Sequence, residues 1–422
     1  MSSVLIKDAK LIITPSHIKK GSIYIEEGKI VEFRSQEADT VIDGSGLAVV
    51  PGLINAHTHV AMNFLRGLAE DKPLMKWLEE DIWPAEKKAT RELVHNAAVL
   101  GIAEALLSGT TSILDMYFYE EEIARAASRM GIRAWVGYGM LDNGDGEKAG
   151  AELKKAEKLI KFVRGLNDEK ITPVVSPHAP YTCSRDLLIK AGELAEKLDL
   201  LYHIHVSETK AEVEESIRKR GKTPLSYLNS LDVVNERFVG AHGVWLTPRE
   251  TVMLSKKKGS IVHNPTSNLK LGSGIAPVKK YIEAGINVAL GTDGQASNND
   301  LNMWDEIKLM ALLQKVKDVT FSGMEALRSA TISGARALKF TGGRIGEGAP
   351  ADLVLIDTGA IQFQPVLSAG QTLNNIIYNT SRKDVKYVLV DGQVLVRNGK
   401  LAHEEIVRES VRKIGDMLQL YT

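Results

Sequence analysis

Seven of the chain's ten histidines (His57, His59, His178, His203, His205, His242 and His263) stand at or near the ends of short apolar runs. His17, His95 and His403 lie elsewhere. Imidazoles in this number, joined by Asp293 after another apolar run, are the materials of a metal site built from nitrogen and carboxylate ligands. His57-Thr58-His59 lies in the run GLINAHTH, where a strand's period of two would turn both rings to one face. His203 and His205 repeat that spacing, and at most one of that pair need be a ligand. In Leu290-Gly291-Thr292-Asp293-Gly294, an unpaired buried carboxylate would be expensive, so Asp293 calls for a partner. Three imidazoles and a carboxylate suit zinc and leave room for a water. The single cysteine, Cys183, excludes a disulfide within the chain and a cysteine-only metal centre. It also excludes the zinc site of the H-x-E/P-C-x-x-C type, although His403-Glu404-Glu405 matches the first half by chance.

Such residues need a scaffold that delivers strand ends to one place. The runs at 52–59, 110–116, 132–140, 171–179, 200–208, 237–244, 259–265 and 286–294 alternate with helical patterns such as 91–109 and 184–199. That alternation predicts an α/β fold with a parallel sheet, and eight strands predict a (β/α)8 TIM barrel over 51–345 with its active site at the strands' C-terminal ends. A doubly wound open sheet would want a G-x-G-x-x-G turn after an early strand, and none is there. Residues 1–50 and 346–400 both read as short strands with turns at Glu27-Gly28-Lys29, Asp43-Gly44 and Asp391-Gly392. Together they predict one small β-sandwich made from the two terminal segments. Residues 401–422 predict an amphipathic helix with Ile406, Val407, Val411, Ile414, Met417 and Leu418 on its apolar face. Lys+Arg and Asp+Glu both number 53 in the 422 residues, so no basic excess favours nucleic acid or anionic lipid. No apolar run approaches a membrane span and no signal segment opens the chain, which predicts a cytoplasmic protein.

Five segments, PGLINAHTH, HIHVSE, AHGVWL, HNPTSNLKLGSG and GTDGQASNN, in that order, resemble the amidohydrolase superfamily. Within it the chain is most similar to the 5′-methylthioadenosine/S-adenosylhomocysteine deaminase group, beside the triazine hydrolases. The resemblance covers essentially the whole chain. It implies metal ligands at His57, His59, His205 and Asp293. SPHAPYT stands where binuclear members carry a carboxylated lysine, so the resemblance implies one divalent ion per subunit, zinc or alternatively iron. It further implies a small-molecule nucleoside substrate, with Glu86 accepting hydrogen bonds from the ribose hydroxyls and His178 touching purine or ribose. A homo-oligomer, dimer or tetramer, is the expected assembly, with no nucleic-acid or membrane partner.

Hydrolytic deamination of an aminopurine needs an acid for the ring nitrogen and a carrier of the water's proton to the departing amine. Glu208, three residues after His205, suits the first role, and Asp293 the second. His242 suits orientation of the attacking oxygen. Trp83 is a candidate to pack on the ligand. The segment 139–155 holds lysines but no arginine to grip a homocysteine carboxylate, which favours small 5′-substituents such as methylthio or 5′-deoxy. The alternatives are a triazine-type hydrolase, a guanine or cytosine deaminase, and a non-catalytic scaffold; the last predicts missing ligands, and the ligand set is complete.

Overall fold

The computed structural model describes residues 3–13, 18–365 and 368–419; His17 lies outside them. The middle of the chain curls a parallel sheet from β1 (Leu53–His59), β2 (Thr110–Tyr117), β3 (Arg133–Met140), β4 (Ile171–Pro173 with Ser176–Pro177), β5 (Tyr202–Val206), β6 (Phe238–His242), β7 (Ser260–His263) and β8 (Asn287–Leu290, resumed at Asp293–Gly294). Neighbours in sequence pair in parallel from β1 through β4, and again from β5 to β8. A bridge between Val175 and Tyr202 joins β4 to β5, and the short resumed part of β8 pairs with Thr58 and His59 of β1.

Two strands differ from the continuous runs expected. β4 is broken because Pro173 and Pro177 have no N–H to give the ladder. β8 is interrupted at Gly291-Thr292, where the backbone presses against β1. A Cβ on Gly291 would lie 2.7 Å from the His57 carbonyl oxygen, so only glycine permits this approach. The Asn55 side chain clasps the junction, accepting from the Thr292 N–H at 3.0 Å and donating to its hydroxyl at 2.7 Å. Asp293 is therefore held beside the His-x-His strand by backbone fit.

The terminal segments form one nine-stranded mixed sheet in which Leu353–Asp357 lies between Leu47–Pro51 and Val385–Val390. Its own apolar cluster includes Ile6, Ile23, Ile42, Leu353, Leu355 and Leu389. Arg133, at the start of β3, fastens that sheet to the central one through a two-pronged bond to Asp352 and a third contact to Asp391. These bonds sit at the strand's opposite end from the histidines. The C-terminal helix, Glu404–Gln419, packs on the helix Arg91–Leu107 and buries Ile406 and Ile414. Val411, expected on the apolar face, is 55% exposed instead. Among the described residues no helix is long and apolar enough to cross a membrane.

Candidate metal centre and substrate cavity

His57, His59 and His205 present ring nitrogens that all lie within 4.8 Å of one another. Asp293 joins them through Oδ1, 3.3 Å from His57 Nε2 and 3.1 Å from His59 Nε2. Each imidazole's other nitrogen is engaged behind it. His59 Nδ1 donates to the Met116 carbonyl at 2.5 Å and His205 Nδ1 to the His178 carbonyl at 2.7 Å. For His57 the partner is His203: the His203 Nδ1–H is spent on the Val239 carbonyl at 2.9 Å, so its Nε2 accepts from His57 Nδ1 at 2.9 Å. All three are thereby fixed with the Nε2 lone pair facing inward, the arrangement of metal-ligating imidazoles. His57 Nε2 is buried without a hydrogen-bond partner, which a cation there would satisfy. Burial pulls His57 well below its usual value and His205 to about 4, so neither needs to shed a proton before ligating. Burial also opposes a charge on His59, yet the Asp293 carboxylate lifts it to about 9, marking a place where positive charge is stabilised. The donor set fits a divalent cation.

His242 lies in the same cluster but is oriented differently. Asn268 Nδ2 donates to its Nδ1 at 2.9 Å, with Asn264 Nδ2 at 3.4 Å, so the ring proton sits on Nε2. That N–H faces Glu208 Oε2 across 3.7 Å, although His242 also lies close enough to His57 and Asp293 to share an ion with them. Glu208 is buried, with Ser273 donating to Oε1 at 3.1 Å; burial and then the Asp293 charge push its carboxyl well above the usual range. Thr209 caps the following helix, its hydroxyl accepting from the Glu212 N–H, and the Glu212 carboxyl accepts the Ser207 and Glu208 N–H groups at 3.0 and 2.7 Å. Glu208 is left free to face the cavity. Ser207, His242 and Asp293 adopt left-handed backbone (φ +51°, +71° and +63°), which places some strain at these strand ends.

Above this cluster opens a cavity of about 420 Å³ whose walls include Glu86, His178, Tyr181 and Lys155. Its apolar side is a helical segment running from Leu74 to Glu86, contributing Leu74, Trp77, Leu78, Ile82 and Trp83. Pro84 has no N–H for a bond one turn back, and the preceding turn widens so that the Trp83 N–H reaches the Leu78 carbonyl. Glu86, which by its Glu-Lys-Lys context alone reads as a solvated charge, is half-buried in the cavity wall. Burial pushes its carboxyl up to about 7, against the pull of the Tyr117 hydroxyl and His59. The Thr182 hydroxyl donates to the Ala179 carbonyl, so it accepts from His178 Nδ1 at 2.8 Å and leaves His178 Nε2 as an acceptor.

A model of the amidohydrolase family matches residues 48–395, most of the chain. The chain belongs to the amidohydrolase family. Membership, together with relatives named as deaminases, makes it a hydrolase acting at carbon–nitrogen bonds. This amidohydrolase is 46% identical over 407 residues, 95% of each chain, to a 5′-deoxyadenosine deaminase of Methanosphaera stadtmanae. It is 44% identical over 401 residues to a 5-methylthioadenosine/S-adenosylhomocysteine deaminase of Thermococcus sibiricus, covering 93% of this chain and 94% of that one. Among solved structures, an adenosine deaminase from Xanthomonas campestris with bound zinc superposes with a TM-score of 0.92 at 33% identity, over 99% of this chain and 98% of that one.

Every site residue expected from the sequence of this amidohydrolase therefore lies at the cluster or on the cavity wall, with two refinements. His203 sits a layer below as the partner of His57, and His263 is buried outside the cavity with neither ring nitrogen hydrogen-bonded. Asn268, Ser273, Ser267 and Ser297, which hold the site's side chains, lie in the segments HNPTSNLKLGSG and GTDGQASNN that carry the resemblance, but nothing in the sequence gave them individual roles, and Glu212, on the helix Lys210–Arg220, carried no signal.

Proposed function

We propose that this chain is a zinc-dependent aminohydrolase of 5′-substituted adenosines, converting the adenine ring to hypoxanthine and releasing ammonia from an active site at one end of a closed (β/α)8 barrel. The observation that carries the reading is one cavity holding Glu208 and the His242 N–H at the ligand end, and Glu86 in the wall. Bound by His57, His59, His205 and Asp293, zinc supplies the Lewis acidity that brings the pKa of water down to about 7. The Nε2–H of His242 orients the attacking oxygen toward the purine carbon bearing the amine. Glu208, held protonated by burial, delivers its proton to the neighbouring ring nitrogen. Asp293 takes the proton released by the water and passes it to the departing amine. The ionised Glu86 accepts from two ribose hydroxyls, and His178 Nε2 accepts a further donor of purine or ribose.

Selectivity follows from the same walls. No arginine lines the cavity among the described residues, and its one ammonium, Lys155, is already bonded to Glu152 at 2.7 Å and to the Tyr138 hydroxyl at 3.2 Å. A homocysteine carboxylate would have to compete for it, whereas 5′-deoxy and 5′-methylthio groups meet the Leu74–Trp83 wall. Ammonia release from the metal-loaded protein should rank 5′-deoxyadenosine and 5′-methylthioadenosine above S-adenosylhomocysteine in kcat/KM, with guanine and a chlorotriazine untouched. S-adenosylhomocysteine well ahead of methylthioadenosine would reverse the ranking, and consumption of guanine or the triazine alone would discard the nucleoside assignment.

Glu86 gives a pH signature. Its carboxyl accepts two hydroxyls best when ionised, and its value is about 7. KM for methylthioadenosine should therefore fall as pH rises through about 7, and Glu86→Gln should raise KM and flatten that dependence. A wild-type KM that is level from pH 6 to 8, or unchanged by the substitution, would remove Glu86 from the ribose subsite.

A further inference from the structure

Asp293 is served by two serines from separate stretches of chain. Ser267, in the turn Pro265–Lys270 after β7, donates to Oδ2 at 2.6 Å, and Ser297, in the turn Gln295–Asn298 after β8, donates to the same oxygen at 2.8 Å. A carboxylate is close to a two-fold rotor, and its two oxygens differ only through their surroundings. Two hydroxyl donors on Oδ2 remove that equivalence and leave Oδ1 as the oxygen facing His57 and His59.

Both turns are too short to fix their own relation, and a third element does so. Glu306, wholly buried in the helix Met303–Lys317, has no salt-bridge partner among the described residues. Its Oε2 accepts the Thr266 N–H at 3.1 Å and its Oε1 accepts from Asn298 Nδ2 at 2.7 Å. Asn298 Nδ2 also reaches the carbonyl of Thr292, next to Asp293, at 2.7 Å. A buried carboxylate is expensive unless its oxygens are used, and here each oxygen ties one serine-bearing turn. Glu306 itself does not line the cavity.

We propose that Ser267 and Ser297 are positioning residues that set which oxygen of Asp293 faces the metal centre, and that Glu306 is the brace holding the two serine-bearing turns in register. The inference rests on the reading of Asp293 as ligand and proton carrier given above. The left-handed backbone of Asp293 adds to the need, since a strained residue persists only where its surroundings over-determine it.

The test uses Ser267→Ala, Ser297→Ala, the double variant and Glu306→Gln, each metal-loaded full-length protein. Two quantities are read: kcat and KM for methylthioadenosine, and the rate at which a chromophoric chelator withdraws zinc without substrate. Loss of such a supporting bond typically costs about 10–100-fold in metal affinity or activity. The double variant should fall in that range in kcat with KM within about twofold, and release zinc faster; the single variants should move the same way by less. Glu306→Gln keeps the size but turns an NH2 toward one of two donors, and should reproduce the serine phenotype in weaker form. If the double variant does not fold, the singles and Glu306→Gln decide the matter on the same readouts. Wild-type kcat and wild-type zinc release in these variants would overturn the proposal, as would a rise in KM alone, which would make Ser297 a substrate contact. Wild-type protein inert toward every adenosine would sink the deaminase reading, while zinc release would still report on the brace.

Discussion

Glu208→Gln should lower kcat for methylthioadenosine by about 10²–10⁴-fold, the usual share of a positioned general acid, while zinc content and fold stay as in the wild type. The substitution keeps the size of the side chain and the acceptor for the Ser273 hydroxyl, 3.1 Å away. It removes the one acidic proton that the site can place at the ring nitrogen. No neighbour replaces it: the His242 N–H faces Glu208 at 3.7 Å but belongs to a ring that burial pulls to about 3, so it donates a hydrogen bond and does not carry an extra proton. The pH dependence has a definite sign. Burial and the Asp293 charge hold the Glu208 carboxyl above its ordinary value, so the reactive acid form persists through neutrality and is lost on the alkaline side. Turnover should therefore fall as pH rises past that ionisation, and the variant should lose this limb along with its rate. A variant within tenfold of the wild type would mean that the ring proton comes from elsewhere.

Removing the metal should have an effect at least as large as the middle of that range. Water without a Lewis acid has a pKa near 15.7 rather than about 7, so stripped protein should lose at least about a thousandfold in kcat. Added zinc should restore it, and iron(II) offered in parallel tests the choice of ion. The stripped protein should stay folded, because β1 and β8 are joined by Gly291, Asn55 and Thr292 independently of any ligand. Its melting temperature should still drop, since an ion that binds only the folded state stabilises that state by mass action. His57→Ala should behave as stripped protein does and should not be rescued by zinc. Protein shown to be metal-free that still deaminates would refute the role given to the cluster.

The parts of this molecule that were legible in the sequence are those whose signal is local. Strand residues alternate, so GLINAHTH announces a buried strand with two histidines on one face, and the structure has Leu53–His59 there. Apolar spacing announced the helices Arg91–Leu107 and Arg185–Leu198. One break in the ladder is also local, since two prolines split β4, whereas the break in β8 comes from the fit of Gly291 against β1. The departure at Val411 is different in kind. Its spacing fits an apolar face, but the partner helix covers only part of that face, and helical period cannot say how wide the covered stripe is.

Glu86 shows the other limit. It ends a helical segment whose apolar residues Leu74, Trp77, Leu78 and Ile82 recur at helical spacing, but that spacing says nothing of a carboxylate beside two lysines. Only its resemblance to a family pattern raised it above a surface charge, and the path of the chain from Leu74 to Glu86 is what brings it to the cavity. The serines and asparagines of the loops after β7 and β8 lie in recognisable segments, but their individual roles were not legible, because a hydrogen bond across the fold leaves no mark on spacing.

By itself the sequence determined the kind of site: nitrogen and carboxylate ligands at the ends of parallel strands, with no cysteine to compete and no charge excess to draw a polymer. Those conclusions depend on residue types and on periods of two and 3.6, which the chain carries locally. The spacing of His203 and His205 left the choice between them open and the resemblance pointed to His205; the tertiary structure gives the physical reason, since the two share a face and differ in depth along β5. His205 reaches the ligand centre, and His203 meets His57 from beneath. It also decided the tautomer of His242, because the donors of Asn264 and Asn268 arrive from a different strand's loop. It decided the oxygen that Asp293 presents, because the hydroxyls that claim the other one come from two turns that only the folded chain brings together.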